Sequence, residues 1–364
     1  MKIAILGTRG VPPNYGGFET FAAELSTRLV ARGHEVSVYC REVASSELRV
    51  ASDWNGVRRI VIPAIRHKYF ETVSHAFLSA LDALRHDFDA VLVCNAANAF
   101  VLPLLRAARI PVAINVDGIE RRRRKWNVFG RAVYAIGETF SVAFANRLIA
   151  DAEVIADYYR ENYAFEPVVI PYGSEFPDEE DSDVLQRLQL EPRSYVLYVS
   201  RFEPENNPLE VLLATRNSQP ATKLVMVGKG LYAKDLVDQL NAQKGPNVLL
   251  PGALYDRDYR TLQRNALLYI QATEVGGTHP AMIEAMGSGG AVLAHDTPEN
   301  REVGGDAVRY FRLRPEENLS SMISELLRNP LEREDFRAKA RKRAAEKYSW
   351  ERVTDAYEQL LRSL

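Results

Sequence analysis

ATEVGGTHPAMIEAMGSGG, residues 272–290, joins a predicted strand to a predicted helix through a glycine-rich turn. The apolar run before it, 266–270, predicts a buried strand, and a proline opens the predicted helix over 280–286. The turn 276–278 leaves backbone N–H groups at the helix N-terminus, where the helix dipole also favours negative charge. The stretch therefore predicts a place to hold a diphosphate.

Two carboxylates flank this turn, Glu274 before it and Glu284 on the helix. Carboxylates are poor ligands for phosphate, but they accept hydrogen bonds from hydroxyl groups. The simplest ligand that offers a diphosphate and hydroxyls together is a nucleotide-sugar, and this is the ligand we expect.

The composition is that of a globular protein, with 46% hydrophobic and 26% charged residues in a chain of 364. A chain of this length is usually too long to fold around a single hydrophobic core, so we expect two domains. The formal net charge of −2 gives no bias toward nucleic acid. Cys40 and Cys94 are expected to be buried free thiols of a cytoplasmic protein. We expect no signal peptide, and no apolar stretch approaches the roughly 18–20 residues that span a bilayer.

Short apolar runs alternate with amphipathic segments, which predicts doubly wound α/β domains with parallel sheets. The first series of expected strands is 2–6, 35–40, 57–63, 90–94, 111–116, 148–150 and 167–171. The expected helices of this series start at 18 and cover 77–84, 99–108 and 152–160, the last capped by Asp151. The second series of strands is 195–200, 224–227, 248–250, 267–270 and 291–294. Its expected helices are 208–214, 232–243, 255–265, 280–286, 330–347 with Asn329 as cap, and 350–364.

A polar and acidic stretch, 172–183, separates the two series and is expected to be a linker with a hinge near Gly173. We expect one Rossmann-like domain over 1–172 and a second over 173–348. A final helix, 349–364, is expected to return to the first domain. Ligands of such sheets bind beyond the carboxyl ends of the strands, so the expected site is a cleft between the domains.

Three further motifs accompany the glycine turn: PPNYGGFET at 12–20, NVDGIERRRRKW at 115–126 and RFEPENN at 201–207. With EVGGTHPAMIEAM at 274–286, they make nearly the whole chain resemble glycosyltransferase family 4 with the GT-B fold. A narrower resemblance is to bacterial β-1,4-rhamnosyltransferases of polysaccharide assembly. The resemblance implies that 1–172 forms the acceptor side and that 173–348 binds the nucleotide-sugar.

The resemblance also implies transfer with retention of configuration and without a metal, most simply of rhamnose from dTDP-rhamnose. The acceptor would be lipid-diphosphate-linked or a saccharide, met at the inner face of the cell membrane. No cofactor is expected. We expect no Asp-x-Asp motif, no cysteine or histidine cluster and no P-loop, so Arg201 and backbone amides must meet the leaving-group charge. Positioning and electrostatics would then carry the catalysis.

The residues expected to bind the donor lie mostly in the second domain. Arg201 suits bidentate capture of phosphate oxygens, and Glu284 matches the ribose-binding glutamate of the family. The family's usual lysine five residues after this arginine is Asn206 here. The full expected set is Gly16, Gly17, Arg201, Asn206, Lys229, Gly276, Gly277, Thr278, His279 and Glu284.

Three carboxylates are the expected catalytic residues: Asp117, Glu120 and Glu274. Asp117 stands where many family members carry a histidine, and it could orient or deprotonate an acceptor hydroxyl, or cap a helix. Nine residues separate Glu274 from Glu284, where the family pattern has seven. Glu274 therefore approaches the donor sugar by a longer route, or only ends its strand.

The densest positive run is Arg121, Arg122, Arg123, Arg124 and Lys125, followed by Trp126. It is either a solvated basic loop or a contact to an anionic membrane or a lipid diphosphate. Four histidines, His34, His67, His75 and His86, have no metal-ligand spacing and are expected to be structural or exposed.

Four other interpretations stay open. The donor could be a UDP- or GDP-sugar, or the protein could be a nucleotide-sugar epimerase of similar architecture. The changed glutamate spacing also allows a binding protein without activity. A dinucleotide oxidoreductase is least favoured, because the early glycines do not form G-x-G-x-x-G.

Overall fold

The computed structural model describes residues 1–13, 16–41, 53–65, 70–123, 127–175, 181–218, 222–230, 233–313 and 317–364. The chain forms two compact units. The first consists of residues 1–122, 126–173 and 350–364, and the second consists of 123–125 and 174–349.

The first unit is a parallel sheet with a single antiparallel edge strand among its described residues. Its strands are β1 (Lys2–Leu6), β2 (Glu35–Arg41), β3 (Asp53–Trp54), β4 (Val57–Ile62), β5 (Ala90–Cys94), β6 (Val112–Asn115), β7 (Arg147–Ala150) and β8 (Val168–Val169). Its helices are α1 (Gly17–Ala31), α2 (Phe70–Ala83), α3 (Leu102–Ala107), α4 (Val128–Phe144), α5 (Glu153–Tyr163) and α14 (Trp350–Arg362). Its described residues also include two 3-10 helices, Ala96–Val101 and Glu120–Arg122.

The strand order in this sheet is β3-β4-β2-β1-β5-β6-β7-β8, with only β3 antiparallel among the described strands. The order changes direction between β1 and β5. Because crossovers between parallel strands are right-handed, α1 covers one face and α2 to α5 cover the other. The central strands β1 and β5 are apolar and almost wholly buried, as helices on both faces require.

The last helix belongs to the first unit, as predicted. On α14, the hydroxyl of Tyr357 accepts a hydrogen bond from Asn115 Nδ2 at 2.7 Å, and its ring centroid lies 5.1 Å from that of Phe21. Arg32, at the end of α1, forms ion pairs with three carboxylates of the same helix, Glu351, Asp355 and Glu358. Gly173 is held against this helix, because a Cβ there would lie 2.4 Å from Trp350 Cδ2.

The second unit is a parallel sheet of six strands in its described residues. They are β9 (Tyr195–Val199), β10 (Lys223–Val227), β11 (Val248–Gly252), β12 (Leu268–Gln271), β13 (Val292–His295) and β14 (Arg309–Phe311). The helices are α6 (Val184–Arg187), α7 (Pro208–Ser218), α8 (Lys234–Gln243), α9 (Asp256–Asn265), α10 (Pro280–Gly287), α11 (Pro298–Gly304), α12 (Glu317–Arg328) and α13 (Pro330–Lys347). The strand order is β11-β10-β9-β12-β13-β14, the order of a Rossmann fold. The predicted pair of Rossmann-like domains is confirmed.

Several details differ from the sequence predictions. The helix expected at 77–84 starts seven residues earlier, at Phe70, and α4 was not predicted at all. The cap position of α5 is Ala152, whose side chain makes no cap hydrogen bond, and Asp151, directly before it, is fully buried. The cap by Asn329 is confirmed, since its Oδ1 accepts a hydrogen bond from Glu332 N at 3.2 Å.

The predicted thiols and histidines are mostly inside the first unit. Cys40 and Cys94 are both free and buried, as expected, and burial raises the pKa of the Cys94 thiol. His34 and His75 are buried, His86 is half-buried, and His67 lies outside the described residues. Burial lowers the pKa of His75 to about 4.

Two glycines of the first unit allow a test of its packing. Gly7 follows β1 with φ of 92°, and a Cβ there would lie 2.4 Å from the Cys94 carbonyl oxygen. Gly33 has a similar φ of 84°, but no heavy atom lies within 4 Å of its Cβ position. We expect Gly33→Ala to lower the free energy of unfolding by about 1–2 kcal/mol through backbone strain alone.

Gly7→Ala should cause the same backbone strain and, because its Cβ overlaps the Cys94 carbonyl, lower the free energy of unfolding by about 1–3 kcal/mol more. Urea unfolding followed by circular dichroism measures both variants. Equal losses of stability in the two would contradict the close approach between β1 and the end of β5.

Candidate functional site

The second sheet changes direction between the neighbouring strands β9 and β12. The loops that leave the carboxyl ends of these strands connect to opposite sides, and this opens a crevice of the kind that binds ligands in α/β sheets. Residues 200–207 follow β9, and residues 272–279 follow β12. Most of the predicted donor-binding residues lie in these two loops.

Two hydrogen bonds join the two loops. The backbone N–H of Glu274 donates to the Glu205 carbonyl oxygen at 2.9 Å. The side-chain nitrogen of Asn207 donates to the Ala272 carbonyl oxygen at 2.8 Å. Asn207 has a left-handed φ of 53°, which asparagine tolerates better than most residues. The loop that carries Arg201 and the glycine turn are therefore fixed relative to each other.

Arg201 begins the loop after β9, and its side chain is 40% exposed. Its Nη1 lies 4.0 Å from Glu203 Oε1, a long ion pair that leaves the guanidinium accessible. Asn206 is buried, and its Nδ2 donates to the Arg201 carbonyl oxygen at 2.7 Å. The amide nitrogen of Asn206 thus supports the backbone at Arg201, and its contact with a donor stays a prediction.

The glycine turn leads directly into α10. His279 is the cap residue but makes no side-chain cap hydrogen bond. Its ring lies over Gly276, where a Cβ would be 2.5 Å from His279 Cε1, so the turn needs a glycine there to accommodate the imidazole. Gly277 and Thr278 are both buried. The first turn of α10 thus combines backbone amides with a ring packed against them.

The imidazole of His279 is uncharged at neutral pH. Burial, with a smaller contribution from Arg123, lowers the pKa of His279 to about 4. Its Nε2 is buried and has no hydrogen-bond partner within the described ranges. A neutral ring with one unused nitrogen at a helix N-terminus can make a hydrogen bond to a ligand without adding charge.

Glu284 lies one turn into α10 and is held by a neighbour that the sequence did not reveal. Its Oε2 accepts a hydrogen bond from the hydroxyl of Tyr259 on α9. The Tyr259 oxygen in turn accepts from Gln263 Nε2 at 2.8 Å. Burial raises the pKa of Tyr259, so this hydroxyl keeps its proton and orients the carboxylate. Nothing in the pattern of this helix marks Tyr259 in advance.

Two other predicted residues lie at the same edge of the sheet. Glu274 is half-buried, directly after β12, and its carboxylate is near enough to His295 to oppose the lowering of that histidine's pKa by burial. Lys229 is exposed after β10, and its carbonyl oxygen accepts from Phe202 N at 3.1 Å. The Lys229 loop therefore packs against the loop of Arg201.

A buried carboxylate, Glu205, was also missed from the sequence. It is fully buried, and neither of its carboxylate oxygens has a hydrogen-bond partner in the part of the chain described. Its counter-charge is Arg123, whose Nη1 lies 3.6 Å from Glu205 Oε1 and 3.6 Å from Glu203 Oε2. Since the Arg123 side chain is only 8% exposed, it does not offer the membrane contact expected of the basic run.

The predicted residues of the first unit lie in two segments, one between β1 and the start of α1 and one after β6. Asp117 follows β6 with a left-handed φ of 58°, and its backbone N–H donates to Asn115 Oδ1 at 2.9 Å. Glu120 is 8% exposed, in the 3-10 helix that follows. Gly16 is extended, with φ of −171°, and Gly17 starts α1, so the backbone at Gly16 does not itself require a glycine.

Glu19 is a buried carboxylate in the first turn of α1. It is 4% exposed, and its Oε1 accepts a hydrogen bond from Arg9 N at 2.9 Å. Burial raises the pKa of Glu19. The glycine-pair motif pointed to residues 16 and 17 and gave no signal for this carboxylate.

The first two arginines of the basic run are packed against tyrosine. The guanidinium carbons of Arg121 and Arg122 lie 5.2 and 5.3 Å from the ring centroid of Tyr158. Arg121 Nε also lies 3.3 Å from Glu138 Oε2. Arg124, Lys125 and Trp126 lie outside the described residues. The run is therefore partly ordered by its neighbours instead of being wholly solvated.

The expectation that the chain has no Asp-x-Asp motif is wrong, since such acidic triplets occur at 87–89, 181–183 and 256–258. In the last two, three of the four aspartates form ion pairs with arginines: Asp183 and Asp258 with Arg187, and Asp181 with Arg264. Within the described ranges, no group of three or more histidine, cysteine or acidic side chains could hold a metal. Transfer without a metal stays a prediction.

Comparison with known families identifies both halves of the chain. The family described as Glycosyltransferase Family 4 matches residues 15–174, and the family described as Glycosyl transferases group 1 matches residues 182–343. The chain is a GT-B glycosyltransferase. No curated protein matches the sequence of this glycosyltransferase significantly.

Solved structures share the fold of this glycosyltransferase at low sequence identity. Sucrose-phosphate synthase from Thermosynechococcus elongatus has a TM-score of 0.83 and 18% identity, covering 100% of this chain and 98% of its own. Anabaena HepE in complex with UDP-glucose has a TM-score of 0.80 and 16% identity, with 100% of both chains covered. The UDP-forming α,α-trehalose-phosphate synthase from Burkholderia vietnamiensis has a TM-score of 0.72 and 11% identity, again over 100% of both chains.

Among the described helices, none is long and apolar enough to cross a bilayer.

The neutral state of His279 gives a pH prediction. Its pKa in the folded glycosyltransferase, about 4, is below the ordinary value of 6.5, so the unfolded chain binds the proton first as the pH falls. The contribution of His279 therefore makes the free energy of unfolding fall by up to about 1.5 kcal/mol as the pH is lowered from 6.5 to 5. His279→Gln should remove this part of the loss, as measured by urea unfolding at the two pH values. An unchanged pH dependence in the variant would show that the ring is not buried as described.

Proposed function

We propose that this glycosyltransferase transfers the sugar of a nucleoside diphosphate sugar to an acceptor hydroxyl, with retention of configuration and without a metal. The observation that carries the proposal is the fixed pairing of the Arg201 loop with the glycine turn at the N-terminus of α10. One loop supplies a guanidinium and the other supplies backbone amides and the helix dipole, which together suit a diphosphate.

Each residue of the second unit has a role in this proposal. Arg201 and the amides at the start of α10 hold the diphosphate, and the neutral His279 adds a hydrogen bond to it. Glu284, oriented by Tyr259, accepts from the ribose hydroxyls. Glu274, at the end of β12, accepts from hydroxyls of the donor sugar. Lys229 supplies a second, exposed cation near the phosphates.

In this proposal the reaction does not require a strong base from the protein. The acceptor oxygen forms a bond to the anomeric carbon on the face that the diphosphate leaves, while the bond from that carbon to the diphosphate oxygen breaks. The departing diphosphate takes the acceptor's proton. Arg201 and the amides stabilise the charge on the leaving group. In the first unit, Asp117 and Glu120 orient the acceptor hydroxyl in this proposal.

Two candidates exist for the sugar donor. The sequence motifs favour dTDP-rhamnose and a lipid-linked or saccharide acceptor of polysaccharide assembly. Structures that share the fold favour a second candidate, because HepE is described in complex with UDP-glucose and the trehalose-phosphate synthase as UDP-forming. A UDP-sugar donor would use the same diphosphate site and the same mechanism.

Calorimetric binding of dTDP, UDP, GDP, ADP and NAD, without added metal, tests the proposal. We expect a nucleoside diphosphate to bind, with dTDP preferred if the donor is dTDP-rhamnose and UDP preferred for the second candidate. Arg201→Ala should weaken this binding about tenfold to a hundredfold, because a hydrogen bond to a charged group contributes about 1.5–3 kcal/mol.

Arg216→Ala is the matched control. Arg216 is an exposed arginine of the second unit whose Nη1 donates to the Gln243 carbonyl oxygen at the end of α8. It lies at the end of α7, away from the carboxyl edge of the sheet, and its removal should leave the affinity unchanged. Equal affinity in the Arg201 variant and the wild type, or binding of NAD alone, would overturn the proposal.

A further inference from the structure

Helix α2 turns an apolar face to solvent. Its exposed large side chains recur at helical spacing: Phe70, Val73, Phe77, Leu78 and Leu81 are 57%, 40%, 48%, 39% and 37% exposed. The two acidic residues of the helix point elsewhere. Glu71 pairs with Arg41 at 3.2 Å, and Asp82 accepts a hydrogen bond from Tyr39 at 3.0 Å. The large exposed side chains of α2 are thus apolar, and both of its carboxylates have partners within the first unit.

Helix α4 repeats this arrangement. Val128, Phe129, Val133 and Ile136 are 84%, 72%, 39% and 55% exposed. Its one acidic residue, Glu138, is buried and accepts hydrogen bonds from the hydroxyls of Tyr158 and Tyr163, both at 2.7 Å. The exposed face of α4 therefore has no carboxylate, and its single charged side chain is Arg131.

The two apolar faces lie on the same side of the first unit. Both α2 and α4 pack against the 3-10 helix Ala96–Val101, which lies between them. The approach of α4 is close, because a Cβ at Gly137 would lie 2.4 Å from the Ala96 carbonyl oxygen. Large apolar side chains exposed on two helices that flank the same element are typical of an interaction site.

Cations border this surface at the start of α4. Arg121, Arg122 and Arg131, with Ala132, line one open depression of about 500 Å³. Guanidinium groups suit bidentate contacts with phosphate, so the depression fits the headgroup of an anionic lipid.

We propose that the outward faces of α2 and α4, with Arg121, Arg122 and Arg131, dock this protein on an anionic membrane surface. Apolar side chains enter the boundary between headgroups and acyl chains, and the arginines bind the lipid phosphates. A second copy of the chain fits less well, because the described faces of α2 and α4 offer it arginines and apolar groups but no carboxylate. The docking surface lies wholly in the first unit and does not depend on the proposed donor chemistry.

Co-sedimentation with vesicles of phosphatidylcholine, alone or mixed with phosphatidylglycerol, tests the docking surface. The wild type should bind the mixed vesicles, and rising salt should weaken this binding. Phe129→Asp and Phe77→Asp, one on each helix, should each lower the partition coefficient about tenfold or more. Arg131→Glu should also lower it, with the greatest effect at low salt.

Two matched controls lie in the second unit. Leu331 is 83% exposed at the start of α13, and the side chain of Lys342 is 76% exposed on the same helix. Leu331→Asp and Lys342→Glu should leave vesicle binding unchanged. All variants should keep the wild-type affinity for the nucleoside diphosphate, which shows that they are folded and separates docking from donor binding.

Three outcomes would overturn the docking proposal: no binding of the wild type to mixed vesicles, equal binding to phosphatidylcholine alone, or unchanged binding in the α2 and α4 variants. Light scattering after gel filtration can give a fourth contradicting outcome. A wild-type dimer that Phe129→Asp dissociates would assign this surface to a second copy of the chain.

Discussion

The change of direction between β9 and β12 is the constraint on which the proposed donor site depends. Right-handed crossovers send the connections of these two strands to opposite sides, so their loops are left side by side with an opening between them. The hydrogen bonds from Glu274 to Glu205 and from Asn207 to Ala272 then fix the spacing of the loops. A diphosphate site needs this fixed spacing, because its cation and its helix amides come from different segments of the chain.

In the proposed donor site, burial determines the state of the groups around this opening more than added positive charge does. His279 is neutral because its ring is desolvated, and Glu284 is oriented by a tyrosine that burial keeps protonated. Within the described residues, neither carboxylate oxygen of Glu205 has a hydrogen-bond partner, and the guanidinium of Arg123 lies next to them. Buried polar groups with incomplete hydrogen bonding lower stability, and they are found where function outweighs that loss.

Much of the fold could be predicted from the sequence because most strands are short apolar runs between glycine or polar turns. Helix α4 was not predicted, and its burial reverses the usual pattern: the polar residues Glu138 and Ser141 are buried, while apolar residues such as Phe129 are exposed. The loops of Arg201 and of the glycine turn were recognisable as motifs. Tyr259 and Glu205 act only through tertiary contacts that their own sequence neighbourhoods do not indicate, and the burial of Arg123 depends equally on distant partners.

Hydrogen–deuterium exchange tests the central claim, that the turn before α10 holds the diphosphate of the donor. Exchange is compared with and without the nucleoside diphosphate that binds best. The account predicts slower exchange of the backbone amides at 276–283, with a smaller effect around Arg201. Bound nucleotide with unchanged exchange at 276–283 would contradict it and place the diphosphate elsewhere on the chain.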